Sequence, residues 1–239
     1  MPALAPGASL VAVARVDDLA AAPGCRFTLP DADEARIARF LKAEDRDSRR
    51  AAWRLARTLL GAALERGPRE IAIIRDGRGR PHVEHGGDID FNVSHSGAWV
   101  AVGLARAARI GVDVERQRTL TDWRSLVPGF LDASSAAAWA RLPPAAQVSA
   151  ALSVWCRKEA LVKATGEGLV LDPRKLLLPL ETGATTLSRA GARYTVAALH
   201  APMLAPDAGL AVAVSGVQLP RLMTLLPEEG WTLSPARPT

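Results

Sequence analysis

The chain has 239 residues, 49% of them hydrophobic, and a formal net charge of +5 with a sequence pI near 9.8. This composition excludes an intrinsically disordered chain and suffices for one large domain or two small lobes. The two cysteines are far apart and lack metal-ligand spacing, which excludes a disulfide framework and a cysteine zinc site. The positive charge favours an anionic partner: nucleic acid, a phosphorylated small molecule or an acidic protein.

The N-terminal segment predicts neither a signal peptide nor a membrane anchor. It has no basic region after Met1, and its apolar run at 10–14 is too short for a signal core or a membrane span. We therefore expect a cytoplasmic protein that does not act at a membrane.

Residues 31–66 have the periodicity of one long helix, with small and apolar residues such as Ala52, Leu59 and Leu60 on one side. Another side carries a row of arginines at helical spacing: Arg46, Arg50, Arg54 and Arg57. Such a row is either a solvated helix face or a surface that binds an anion.

The region that follows predicts strands. A short apolar strand at 71–74 and a glycine-rich turn at 75–80 precede the alternating stretch 88–94, which reads DIDFNVS. The buried run 99–105 and a second alternating strand, 110–115, come next. Ser94 and His95 lie where the first alternating strand ends, so they either form a turn or receive a ligand.

The second half repeats the element order of the first. A helix is predicted from about 149 to 165, with strands near 194–199 and 210–214 and a frayed tail at 233–239. This repetition predicts an α/β (α+β) protein of two similar lobes, 1–108 and 109–239, each a small antiparallel sheet packed with helices. A ligand site would lie in the cleft between the lobes.

Three carboxylates indicate a cation. Glu159 interrupts the apolar face of the second-half helix, and burying an unpartnered carboxylate costs several kcal/mol. Its alternative partner, Lys163 one turn away, contributes only a few tenths of a kcal/mol. Asp113 and Glu115 project from one strand face about 6.5 to 7 Å apart, which fits either a solvated face or a Mg²⁺ or Mn²⁺ site.

Four motifs occur in one order: GRP at 79–81, FNVSHSG at 91–97, GVDVE at 111–115 and WCRKEALVKATGEGL at 155–169. Their order and spacing resemble 4′-phosphopantetheinyl transferases of the larger, two-lobed kind that activate surfactin synthetase. The resemblance runs from about 46 to 169 and includes RTLLG at 57–61. It implies the fold of that family, with lobes related by a pseudo-twofold axis. It also implies transfer of the phosphopantetheine arm of coenzyme A to a carrier-protein serine, with release of adenosine 3′,5′-bisphosphate.

The resemblance also implies roles for individual residues. Asp113, Glu115 and Glu159 would hold Mg²⁺, and Glu159, or a metal-bound water beside it, would take the proton of the carrier serine. Lys163 would neutralise a phosphate oxygen, and Lys158 would orient the diphosphate or the glutamate. Phosphate and adenine contacts of coenzyme A are expected from Arg50, Arg54, Arg57, Thr58, Arg80, Ser94 and His95.

The implied protein partner is an acidic acyl or peptidyl carrier protein, which would dock near 120–142. Because the two similar lobes lie on one chain, we expect a monomer, with a weak dimer as the alternative. A basic nucleic-acid-binding protein is a rival interpretation, but aromatic residues are 5% of the chain and no nucleic-acid-binding signature is evident. A metal-dependent phosphatase or nuclease is a third.

Overall fold

A computed structural model describes residues 4–168, 171–216, 218–226 and 230–239. Its helices are α1 (Val16–Ala21), α2 (Asp31–Ile37), α3 (Ala43–Leu64), α4 (Leu120–Leu126), α5 (Ala133–Ala140) and α6 (Pro144–Thr165). The strands of the first half are β1 (Ser9–Arg15), β2 (Ile73–Arg75), β3 (Pro81–Val83), β4 (Ile89–Ser96) and β5 (Trp99–Arg106). Those of the second half are β6 (Ile110–Arg116), β7 (Ala184–Arg189), β8 (Ala192–Ala198), β9 (Ala208–Ser215), β10 (Arg221–Leu226) and β11 (Gly230–Pro235).

Two sheets organise the described part of the chain. The first has the strand order β11-β10-β1-β5-β4, and the second has the order β6-β9-β8-β7. Strands β2 and β3 form a separate hairpin. Helix α3 packs on the first sheet and α6 on the second, so the predicted class of small, mainly antiparallel sheets packed with helices is confirmed.

The predicted helix over 31–66 is two helices. The chain leaves α2 after Ile37 and enters α3 at Ala43. Between them, Arg46 Nη1 donates to the carbonyl oxygens of Phe40 (2.8 Å) and Leu41 (2.7 Å), so these backbone groups are satisfied without a helix. The break turns α2 back along α3, which brings acidic residues of α2 beside the arginines of α3.

Helix α6 packs closely on β6 because the contact contains a glycine. A Cβ atom on Gly111 would lie 2.0 Å from the carbonyl oxygen of Ala160 and 2.5 Å from the backbone nitrogen of Ala164. Only a residue without a side chain allows the helix backbone to come this near. Gly111, the first residue of the GVDVE motif, therefore allows the short distance between β6 and α6.

The two sheets meet through an apolar core and a polar seam. Side chains from β1, β5, β6 and β9 form a shared buried cluster. Beside it, the edge strands β4 and β6 face each other, and side chains of β4 satisfy the backbone of β6. Asp90 Oδ2 accepts the N–H of Ile110 (2.8 Å), and Asn92 Oδ1 accepts the N–H of Val112 (3.0 Å). The polar face of the DIDFNVS strand is thus buried at the junction of the two sheets.

The C-terminal strands return to the first sheet. Strand β10 pairs in parallel with β1, and β11 pairs with β10. The division at 108 remains a prediction, but residues 221–226 and 230–235 depart from it because they complete the sheet of the first half. The tail predicted to fray is instead paired: Leu199 bridges Pro238, and the Thr239 N–H donates to the Ala198 carbonyl oxygen (3.1 Å).

None of the helices in the described ranges combines the length and the apolarity that a bilayer span requires.

Candidate active site

Two serines of β4 hold the two carboxylates of β6. Ser94 Oγ donates to Asp113 Oδ1 (2.9 Å), and Ser96 Oγ donates to Glu115 Oε2 (2.9 Å). The pairs lie two residues apart on both strands, so each residue of SHS that points to the seam meets one acid of DVE. The alternation of both strands is what brings these four side chains together.

Lys163 joins α6 to this pair of strands. Its Nζ donates to Asp113 Oδ1 (2.7 Å), Ser94 Oγ (2.9 Å) and the Val112 carbonyl oxygen (3.2 Å). Asp113 is only 3% exposed, and burial raises the pKa of its carboxyl although the Lys163 ammonium opposes the shift.

Glu159 lies one helical turn before Lys163 and belongs to the same acidic cluster. Burial raises the pKa of Glu159, and the negative charge of Asp113 is the next largest cause, followed, after an opposing effect of Lys163, by that of Glu115. The pKa of Glu159 therefore depends on the charges of Asp113 and Glu115 as well as on that of Lys163.

This donor set fits a hard divalent cation. No three histidine, cysteine, aspartate or glutamate side chains of the described residues are already gathered to coordinate a metal ion, and the Lys163 ammonium neutralises Asp113 Oδ1. The second oxygen, Asp113 Oδ2, is buried without any hydrogen-bond partner among the described residues. A buried carboxylate oxygen that lacks a donor, beside two further carboxylates, is a group that a Mg²⁺ or Mn²⁺ ion would satisfy.

A polar pocket opens beside the cluster. It has a volume of about 610 Å³, and its lining includes Glu115, Ser96, His95, Ser48 and Lys42. His95 Nδ1 lies 3.5 Å from Ser48 Oγ, at the N-terminal part of α3. The pKa of His95 is lowered to about 4, first by burial and then by the positive charges of Arg49 and Lys163. The negative charge of Asp45 opposes this shift, and His95 is a neutral imidazole at physiological pH.

Two family profiles match adjoining parts of the chain. Residues 109–214 match that of the 4′-phosphopantetheinyl transferase superfamily, and residues 24–106 match that of the N-terminal part of 4′-phosphopantetheinyl transferases. The chain belongs to the 4′-phosphopantetheinyl transferase superfamily.

Individual relatives agree with this assignment. The 4′-phosphopantetheinyl transferase AcpT of Salmonella typhimurium (strain LT2) is 35% identical over 118 residues, which cover 49% of this chain and 60% of that protein. The phosphopantetheinyl transferase of Thraustochytrium sp. is 28% identical over 201 residues, or 78% and 70% of the two chains. The 4′-phosphopantetheinyl transferase HetI of Nostoc sp. is 30% identical over 160 residues, or 65% and 64%. The chain thus spans less than two thirds of AcpT and HetI.

Two basic residues that the superfamily resemblance assigned to the ligand are buried in other contacts. Lys158 is 2% exposed, and its Nζ donates to the carbonyl oxygens of Phe130 (2.6 Å) and Pro173 (2.8 Å). Arg80 pairs with Asp90 (2.7 Å) and also donates to the carbonyl oxygens of Ile110 and Lys163. These contacts argue against a phosphate contact by either residue, because both side chains are almost completely buried, whereas the Lys163 side chain is 27% exposed.

The residues of α3 predicted to contact coenzyme A also make contacts within the protein. Arg57 is 3% exposed, pairs with Asp33 (2.7 Å) and donates to the Ile71 carbonyl oxygen (2.6 Å), so it anchors α2 and the loop before β2. Thr58 Oγ1 donates to the Gly24 carbonyl oxygen (2.7 Å). Arg50 pairs with Glu34 (3.0 Å), and Arg54 lines a neighbouring pocket of about 240 Å³ together with Arg50.

The sequence interpretation missed a different group of arginines. Arg36, Arg39, Arg49 and Arg75 line a pocket of about 240 Å³ with Phe40 and Trp53. The Arg49 guanidinium lies 3.5 Å from the Phe40 ring centroid, and burial followed by the charge of Arg36 lowers the pKa of Arg75. We name this group the arginine pocket. Treating 31–66 as one helix hid it, because the pocket forms where α2 folds back on α3.

Proposed function

We propose that this protein transfers the 4′-phosphopantetheine moiety of coenzyme A to a serine of an apo acyl or peptidyl carrier protein. The products are the holo-carrier and adenosine 3′,5′-bisphosphate. The observation that carries the proposal is the buried Asp113 carboxylate beside Glu115 and Glu159, whose Oδ2 has no donor among the described residues. Membership of the transferase superfamily supplies the reaction type.

Asp113, Glu115 and Glu159 would hold Mg²⁺, with Mn²⁺ as a substitute of similar ligand preference. When bound, the ion supplies charge neutralisation at the diphosphate of coenzyme A, which is the main requirement of phosphoryl transfer.

Glu159 is the candidate general base. The carrier serine attacks the β-phosphorus of coenzyme A through Oγ, the new P–O bond joins phosphopantetheine to the serine, and the P–O bond to adenosine 3′,5′-bisphosphate breaks. The Glu159 carboxylate takes the serine proton. In the metal-free protein, burial and the charge of Asp113 raise the pKa of Glu159.

The basic groups around the cluster would bind the anionic ends of coenzyme A. Lys163 and Ser94 would contact the diphosphate beside the carboxylates, and the charges of both Lys163 and Arg49 act on His95. Arg49 connects this site to the arginine pocket, whose positive charge and aromatic rings suit the 3′-phosphate and adenine. Coenzyme A would therefore extend from Lys163 past His95 towards Arg36 and Arg75.

The carrier would dock on α4, α5 and the loop between them. Arg116, Arg124 and Arg141 are exposed on or beside this segment, and Leu126 is 41% exposed. An acidic carrier surface complements this charge. Two residues of α6 contact this segment. The Lys158 ammonium donates to the Phe130 carbonyl oxygen, and the ring centroids of Trp155 and Phe130 lie 5.2 Å apart.

The test is mass spectrometry of purified apo-carriers incubated with the protein, coenzyme A and Mg²⁺. A mass gain of one phosphopantetheine, lost when the carrier serine is replaced by alanine, supports the proposal. Hydrolysis of coenzyme A without any carrier would instead support a phosphatase. If a panel of acyl and peptidyl carriers stays unmodified, the proposal is wrong.

A further inference from the structure

Ser96 is the last residue of β4, and its hydroxyl makes two contacts across the seam. Its Oγ donates to Glu115 Oε2 (2.9 Å) and accepts the backbone N–H of Arg116 (3.1 Å). Strand pairing opposes Ser96 to Trp99 of β5, and Gly97, at a φ of 57°, makes the turn that follows. The backbone of Ser96 is thus fixed by the β4–β5 hairpin, while its hydroxyl binds residues of β6.

Glu115 needs such a contact more than Asp113 does. Asp113 is buried and is also fixed by Lys163, whereas Glu115 is only half-buried and has one more rotatable bond. The Arg118 guanidinium lies 3.7 Å from the same oxygen, Oε2, and competes for the carboxylate from a more exposed position. The Ser96 hydroxyl is closer, and it holds Oε2 while Oε1 accepts no hydrogen bond within the described ranges.

We propose that Ser96 is a positioning residue that holds the Glu115 carboxylate for a divalent cation and for the adjoining pocket, which both residues line. The inference rests on the proposed function, because it takes the acidic cluster as the metal site. Groups that orient metal ligands typically change metal affinity by about 10–100-fold when they are removed.

The experiment compares S96A and S96T with the unmodified full-length protein, using Mn²⁺ binding followed by electron paramagnetic resonance and Mg²⁺ binding by calorimetry. We expect S96A to weaken binding of either ion about tenfold, and S96T, which keeps the hydroxyl, to stay within about threefold. In carrier loading, S96A should raise the Mg²⁺ concentration that gives the half-maximal rate. The fold decrease in kcat at saturating Mg²⁺ should be smaller than the fold increase in that concentration. A melting curve checks that each variant folds.

The result that overturns the inference is S96A binding Mn²⁺ and Mg²⁺ like the unmodified protein, or S96T behaving like S96A. If S96A does not fold, S96C replaces it, because its thiol is a weaker donor of similar size and should weaken metal binding in the same direction. Metal binding that depends on Ser96 without carrier loading would contradict only the proposed function. Failure of the unmodified protein to bind either ion would overturn both.

Discussion

Lys163 Nζ lies 2.7 Å from Asp113 Oδ1 and joins the last turn of α6 to the middle of β6. The lysine neutralises a carboxylate that is 3% exposed, and it does so beside two more carboxylates. An ammonium held in this way compensates part of the charge that a divalent cation would compensate in the proposed complex.

Replacing Lys163 by methionine should therefore destabilise the protein and increase its response to Mg²⁺. Without the ammonium, the buried Asp113 carboxylate loses its ion pair, which should lower the free energy of unfolding by about 1–3 kcal/mol. Added Mg²⁺ should raise the melting temperature of K163M more than that of the unmodified protein, because one competing positive charge is absent. Equal Mg²⁺ responses in thermal melts would contradict this account. Carrier loading should fall because a phosphate contact is lost.

Glu159→Gln should remove activity and preserve the fold. We expect a loss of about 10²–10⁴ in kcat, the usual contribution of a general base, together with an unchanged or higher melting temperature because a buried negative charge is removed. Glu84→Gln is the matched control, since Glu84 is exposed and far along the chain from the cluster. A Glu159→Gln variant that loads carriers at the normal rate would exclude the proposed base.

Gly111→Ala should separate α6 from β6. Its Cβ atom would meet backbone atoms of Ala160 and Ala164, which cannot rotate away as a side chain can. We expect a loss of about 3 kcal/mol or more in the free energy of unfolding, at the upper end of overpacking effects. Gly77→Ala is the control, because nothing lies within 4 Å of its added Cβ and no positive φ is required there. Denaturant unfolding of both variants provides the comparison.

His95 should titrate near pH 4 in the folded protein. In the unfolded chain its pKa is about 6.5, so the unfolded state takes up the proton first as the pH falls. This stabilising contribution should be complete above pH 6.5 and lost between pH 6.5 and about 4, with an upper limit of about 3 kcal/mol. NMR titration of the imidazole measures the pKa, and H95Q should lack this part of the pH dependence. A midpoint near 6.5 would show that the His95 imidazole is neither buried nor close to the charges of Arg49 and Lys163.

Arg124→Glu should weaken carrier recognition selectively. Reversing an exposed charge on α4 should lower kcat/KM for an acidic carrier about three- to tenfold and leave KM for coenzyme A unchanged. The difference should shrink at high salt, because exposed charges are screened. Arg69→Glu, which reverses an exposed charge on the loop between α3 and β2, is the control. Equal effects of the two variants would place the carrier elsewhere.

The local patterns of the sequence predicted the elements of the site better than the contacts that those elements make. The apolar rhythm of α6 placed Glu159 on a buried face, and the alternation of β4 and β6 placed Ser94 and Asp113 correctly on their strands. The same patterns cannot say what lies opposite a side chain. Arg57 meets Asp33 only because the chain breaks between α2 and α3, and Lys158 meets two loop carbonyl oxygens, so both became structural cations.

The sequence also did not predict the pairing of strands that are far apart along the chain. Strand β1 was interpreted only as a short apolar run, and β10 and β11 were not predicted. Their hydrophobic residues satisfy no local rule that identifies a partner more than two hundred residues away, since parallel pairing of β1 with β10 is set by the whole fold. The polar face of β4 posed the same difficulty, because a face that meets water and one that meets another strand edge have the same alternation.

The placement of β10 beside β1 affects how the molecule can be assembled and cut. During synthesis, the side of β1 that β10 covers stays open until residue 226 has left the ribosome, so a β-strand edge in the first sheet is exposed for most of translation. A fragment that ends before residue 221 would keep all three acidic residues of the site yet leave that edge without its neighbour. We expect such a fragment to aggregate, however complete its chemistry.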